Sequence, residues 1–173
     1  MEALLREFRG SSVEWRAAIR VLATHSAMPD NRRRMIHMSA LDQVMRALSE
    51  EARLTLSSAT PQQEAVRRLE EAVRVHPYAV LMADNTGRYI GANAAATELT
   101  GFSRRELLAA SMYDITPPVE EKDVALLWRA FLRTGRQEGA IVIRRRDGSQ
   151  ISGRYMATTN VIPGVHVSVL AKV

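Results

Sequence analysis

The chain has 173 residues, 46% of them hydrophobic and 25% charged, which fits one modest domain with a helical appendage and excludes wholesale disorder. It has no cysteine, so disulfides, thiolate zinc sites, iron–sulfur ligation and cysteine-adduct photochemistry are excluded. The net charge is +5, but 24 basic residues are interspersed with 19 acidic ones, as on a solvated surface, so a nucleic-acid partner is open without being favoured.

No run is apolar for long enough to span a bilayer. The start Met1-Glu2-Ala3-Leu4-Leu5-Arg6 lacks the basic and apolar blocks of a secretion signal. A cytoplasmic protein with no membrane partner is therefore expected. Only Gly10 precedes residue 87, and the other eight glycines follow, so the first half should be helical and the second mixed.

In chain order, Phe8, Trp15, Ile19 and Leu22 form one helical stripe. Met28-Pro29-Asp30-Asn31 breaks the pattern, and Leu41, Val44, Met45, Leu48 and Ala52 form a second stripe. Two such helices bury little alone. They need each other, a second copy, or the domain that follows. Thr60, Pro61 and Gln63 predict a capped helix start, with the helix running through Val66, Leu69 and Val73 to about His76, before Pro77.

From Tyr78 the period changes. Ala79–Ala83 and Arg88–Ala92, on either side of Asp84-Asn85-Thr86-Gly87, predict a β-hairpin. Asn93 should cap a helix from Ala94 to about Thr100, and Gly101 should end it. Ser103 and Glu106 predict a capping box, and residues 114–118 a loop. A longer helix from near Val119 carries Glu120, Glu121 and Asp123 early and Arg133 late, with Val124, Leu127, Trp128 and Phe131 on its buried face; Gly135 should stop it. Three strands follow: Ala140–Arg145, a two-residue turn at Asp147-Gly148, Gln150–Thr158, a turn at residues 160–164, and the alternating Val165, Val167 and Val169.

Asp84 to Ala96, Thr100 to Leu108 and Arg145 to Ser149, in this order and at this spacing, resemble the opening hairpin, the next signature and the late hairpin of the PAS domain family. The resemblance covers residues 77–173. It implies an α+β fold, a five-stranded antiparallel sheet with helices on one face, here preceded by a helical amino-terminal segment. The chain then divides into residues 1–60 for dimerisation or partner binding, a connector helix at 61–76, and the PAS-like domain at 77–173. Such domains commonly sense a ligand or mediate dimerisation, and pass a signal through a terminal helix. Almost nothing follows Val173, so the output is expected to run amino-terminally or through a partner chain.

Asn93, Gly101, Asp147 and Gly148 are read as structural residues of the family motifs. No catalytic residue is expected: there is no nucleophile elbow, phosphate-binding glycine loop or His-Glu-x-x-His. Cysteine-linked chromophores are excluded. Residues 119–134 hold no histidine, which weighs against haem. Noncovalent flavin or a small apolar ligand remains open, with a candidate pocket at Leu81, Leu127, Trp128, Phe131, Ile143, Tyr155 and Val167, or else a packed core at the same positions. A one-residue error in strand parity would turn each choice to the other face. His166 is expected to be solvated or hydrogen-bonded rather than a metal ligand, and His25, His37 and His76 lack ligand spacing. Arg144–Arg146 should charge a strand edge. Arg32–Arg34 leave phosphate contact open. The functional expectation is a PAS sensory module, homodimeric through its amino-terminal helices, that relays ligand or partner state by repacking them. The alternatives are a nucleic-acid-binding regulator and a ligand-free interaction adaptor.

Overall fold

The computed structural model describes residues 31–55, 61–74, 76–116 and 121–173. The stripe from Phe8 to Leu22, the break at Met28 and the cap at Thr60 lie outside the described residues.

Helix α1 spans Asn31–Thr55, so the break ends earlier than expected and Arg32–Arg34 fall in the first helical turn. Helix α2 is Gln62–Ala72, with Pro61 at the N-cap rather than inside the helix and no side-chain cap. It stops short of His76: the amide of Val73 closes the last turn on Leu69 O at 3.1 Å, and that of Arg74 reverts to Glu71 O at 3.2 Å.

Strands β1 (Ala79–Ala83) and β2 (Tyr89–Ala92) form the expected hairpin, bulged between Met82 and Ala83. Helix α3 (Ala94–Thr100) is capped by Asn93 and ended by Gly101 at φ 74°. Helix α4 (Arg104–Ala109) carries the Ser103–Glu106 capping box. The expected loop at residues 114–118 is partly a helical turn: α5 (Met112–Ile115) is nucleated by Ser111, whose amide and hydroxyl both donate to Asp114. That second capping box lacks a following apolar run, the usual cue for a helix.

Helix α6 (Glu121–Thr134) ends at Gly135, φ 78°. Strand β3 runs Arg136–Arg144, starting directly after that glycine and four residues before the expected start. β4 runs Gln150–Ile162 and β5 Val165–Lys172. The β3–β4 turn is not a two-residue loop. Asp147 keeps a negative φ and only Gly148 is left-handed, at 83°. Residues 146–148 form a three-residue loop, closed by Arg145 N–H to Ser149 O at 2.8 Å, the type I plus glycine form. β4 also passes beyond Thr158, bulging at Asn160 (φ 50°) before Pro163-Gly164 turns the chain.

The strands lie in the order β2-β1-β5-β4-β3, all antiparallel. Both faces are covered. Inward lie Leu81, Tyr89, Ile143 and Leu170, packed with Ala96 and Leu107 of α3 and α4 and Ile115 of α5. Outward lie Val80, Met82, Met156, Val165, Val167 and Val169, under Leu41, Met45, Leu48 and Ala52 of α1 and Ala65, Val66 and Leu69 of α2. The stripe at residues 41–52 therefore finds its apolar partner in the sheet. Burying several large side chains this way, at about 1.5–3 kcal/mol each, outweighs any helix propensity.

Candidate functional site

The alternation along each strand decides which expected pocket residues meet. Leu81, Ile143 and Tyr155 share the inner cluster, with Trp128 of α6 packed against it. Phe131 is buried and its ring lies 5.3 Å from that of Trp128. Leu127 is half-buried on the same helix. Val167 is a correction: it lies on the outer face, beneath α1. Its register partners are Met82 and Thr158, and its neighbour His166 takes the inner position. The side chain of Val124 lies outside the described residues.

His166 is the inner-face residue that the apolar pattern misses. It is 3% exposed. Its ring is edge-on to Trp128 at 5.4 Å and to Phe131 at 6.0 Å. Asn160 N–H donates to Nδ1 at 3.2 Å, so Nδ1 carries the lone pair and Nε2 the proton, donated to Asn85 Oδ1 at 3.0 Å. Both ring nitrogens are thus engaged within the protein. Burial holds its pKa below the ordinary histidine value, against the weaker pull of Asp84. Trp128 Nε1 donates to Asn85 O at 2.8 Å, so the β1–β2 turn anchors both rings.

Two tyrosines of the inner face are kept neutral by burial. The Tyr155 hydroxyl lies 3.4 Å from Gln137 Oε1, and burial pushes its pKa up to about 12. Burial also pushes Tyr89 up. The inner face among these residues is thus an apolar wall with a few fixed hydrogen-bonding groups. Among the described residues, no three His, Asp or Glu side chains are grouped to hold a metal ion.

The connector is tied to the domain by Asn93 and Glu70. Asn93 Oδ1 accepts from Val80 N–H and Ala96 N–H, and Nδ2 donates to Val73 O, Tyr78 O and His76 O. Glu70 accepts from Ala92 N–H at 3.0 Å and pairs with Arg104 at 2.8 Å. It lies beside an open cleft of about 500 Å³ between α2 and the starts of α3 and α4. Gly91 makes room: a Cβ there would stand 2.9 Å from Met82 Sδ and 3.3 Å from Glu70 Cγ. On the outer face Asp42 of α1 pairs with Arg136 of β3 at 2.7 Å, and the Arg136 hydrogen bond holds its carboxyl below the usual value.

The cluster at residues 144–146 clasps the inner helices rather than only charging an edge. Arg144 donates to Asp114 O at 2.7 Å, Arg145 to Glu98 O at 3.3 Å, and Arg146 to the Glu106 carboxylate at 2.7 Å. Cations at helix-end carbonyls suit the helix dipole. The side chains of Arg32–Arg34 lie outside the described residues.

The profile of the PAS domain family matches residues 77–168. Sporulation kinase E of Bacillus subtilis (strain 168) is 26% identical over 91 residues, which are 53% of this chain and 12% of the kinase. The match thus spans about an eighth of that relative's length. The PAS domain of an HTR-like protein from Haloarcula marismortui is 19% identical, with TM-score 0.53 over 64% of this chain and 93% of that one. The PAS domain, in complex with ethanol, of a LuxR-family transcriptional regulator from Burkholderia thailandensis is 11% identical, with TM-score 0.51 over 60% and 95%. The two structural likenesses show a shared fold.

Proposed function

The chain belongs to the PAS domain family, sensory modules of signal transduction, and from that premise we propose that it relays the state of its inner-face core to its amino-terminal helices by repacking them. One observation carries this reading. Consecutive residues of single strands point to the two faces: Leu81 lies between Val80 and Met82, and His166 between Val165 and Val167. A shift of a strand by a ligand on one face is a shift of the floor beneath α1 and α2 on the other.

The apolar stripe of α1 has two competing partners, its own sheet and a second copy of the chain. A homodimer through the amino-terminal helices is the state in which that stripe is exchanged, and the signal is a population shift between the two. The module is cytoplasmic and acts on a signalling partner without catalysing a reaction itself. The relative from Bacillus subtilis supports this placing, being a kinase in which the matched segment is a small part. The ligand is a noncovalent flat or small apolar molecule on the inner face; the Burkholderia PAS domain, which is in complex with ethanol, is an instance of a PAS domain with a small bound molecule. Among the described residues, no helix is long and apolar enough to cross a membrane.

Native mass spectrometry of freshly purified protein, with an absorption spectrum on the same sample, tests both parts. A dimer with excess mass is the expected result. A bare mass without visible absorbance, and no stabilisation by flavins or fatty acids, leaves the ligand-free adaptor. A strict monomer by light scattering at concentrations on the order of tens of micromolar, with and without added ligands, removes the dimer.

A further inference from the structure

His166 makes connections, not used by the relay, that reach further than its own strand. The residue that donates to its Nδ1, Asn160, also closes the β4–β5 turn, its Oδ1 accepting from Gly164 N–H at 3.1 Å. Asn160 is held there at φ 50°, and among the described residues it is the one non-glycine with positive φ. Pro163, in the same turn, accepts from Gln62 Nε2 through its carbonyl at 3.3 Å. Gln62 is the first residue of α2, whose start has no side-chain cap. A Cβ on Gly164 would come within 3.1 Å of Gln62 Nε2, so helix and turn are in close contact.

We infer that His166, Asn160 and the Pro163-Gly164 turn form a proton-sensitive latch: protonation of the buried imidazole opens the β4–β5 turn and frees the start of α2. The argument is one of donors and acceptors. The added proton goes to Nδ1, which already faces the N–H of Asn160, and two donors then confront each other. The imidazolium would sit between Trp128 and Phe131 of α6, with Asn160 of β4 on one side and Asn85 of the β1–β2 turn on the other. The charged group that acts on it is Asp84 of that turn, whose carboxylate is engaged by the amides of Thr86 and Arg88. On β5 itself, Val165 and Val167 face away. A buried cation whose Nδ1 proton has no acceptor is costly, and opening the turn to water relieves it.

The sign follows from linkage. Burial lowers the affinity of the closed latch for a proton, so the open form binds it more tightly. The closed form is fully favoured above the ordinary histidine value of about 6.5 and loses ground as pH falls below it. The inference takes from the relay reading only that α2 is an output element.

The test uses the full chain between pH 8 and pH 5. The His166 ring is titrated by NMR, and amide exchange, corrected for its intrinsic pH dependence, is followed at Ala65, the first amide of α2 with an acceptor (Pro61 O at 3.0 Å). The ring is expected to titrate below about 6.5, and opening at that amide to rise about tenfold for each unit between the closed and open titration points. His166→Gln should abolish the acid response, because glutamine donates and accepts without titrating. Gln62→Ala should leave the ring titration in place but uncouple it, with the start of α2 at Ala65 poorly protected at every pH. A ring that titrates at or above the ordinary value, or an acid response that persists in either variant, overturns the latch. Should the glutamine variant not fold, the Gln62→Ala pair of readouts decides alone. Failure of inner-face ligands to alter α1 would sink the relay reading while leaving these pH readouts as they are.

Discussion

The side chain of Asn93 is 4% exposed and makes five hydrogen bonds, to the end of the connector, both flanks of β1 and the first turn of α3. No apolar replacement satisfies those groups. Asn93→Ala removes the side-chain partner of the Val80 amide and of the Tyr78 and His76 carbonyls, while Ala96 N–H keeps Asn93 O and Val73 O keeps His76 N–H, and a loss of about 2–4 kcal/mol is expected from urea denaturation. Asn93→Asp should not rescue it, since a carboxylate cannot donate to the three carbonyls. At the surface, Glu106 is held at about 2 by the Ser103 hydroxyl and amide and by Arg146, against an ordinary 4.5. Its folded pKa is depressed, so its contribution is present above 4.5 and is lost as pH falls from there toward about 2. Melting curves of Glu106→Gln across that window should show a shallower acid decline than those of the unaltered chain. Asn93, Gly101 and the Ser103–Glu106 box were legible from local sequence because caps and left-handed turns depend on residues within one helical turn of each other. Asp147 was only half legible, because its loop length is set by where β3 and β4 pair, not by the dipeptide.

At the scale of elements, α1 is held by one apolar stripe and the Asp42–Arg136 pair, which is exposed enough to add little. Its outward side carries i,i+3 and i,i+4 pairs, Glu50–Arg53 and Asp42–Arg46. Leu48, 5% exposed against the sheet, is a sensitive point. Leu48→Ala should cost about 2–5 kcal/mol of α1 docking, read as early loss of exchange protection in residues 31–55 while the strands stay protected. If α1 and the strands lose protection together, the helix and domain are one cooperative unit. The helical period of residues 41–52 was readable from sequence, whereas its partner was not. A stripe specifies that something apolar covers it, and the choice among sheet, neighbouring helix and second copy is made by shape. The same limit applies to α5, which is too short to have a period.

For the whole molecule, the decisive feature is that the sheet is covered on both sides. A sheet with one wet face shows its orientation by polar residues. Here β1 is buried at every position and β5 at all but Ser168 and Lys172, so polarity could not tell which side faced the inner helices. Val167, a candidate pocket position with strand parity open by one residue, lies outward, while His166 takes the inner place. The monomer–dimer balance belongs at this scale too, because the outer face that α1 covers is the face a released α1 would leave bare. A shift toward dimer should therefore accompany any ligand or pH change that lowers α1 protection, and light scattering on the same samples checks it. By itself the sequence determined the order of the strands and longer helices, the caps at Asn93 and Ser103, the stop at Gly101, the family, and the exclusion of cysteine chemistry, because these rest on neighbours a few residues apart. Tertiary structure alone decided which strand face is which, that α1 lies on the sheet, that Arg144–Arg146 clasp helix ends, and that His166 joins two turns and α6. Each of those depends on groups that are brought together only when the sheet closes between its two layers of helix.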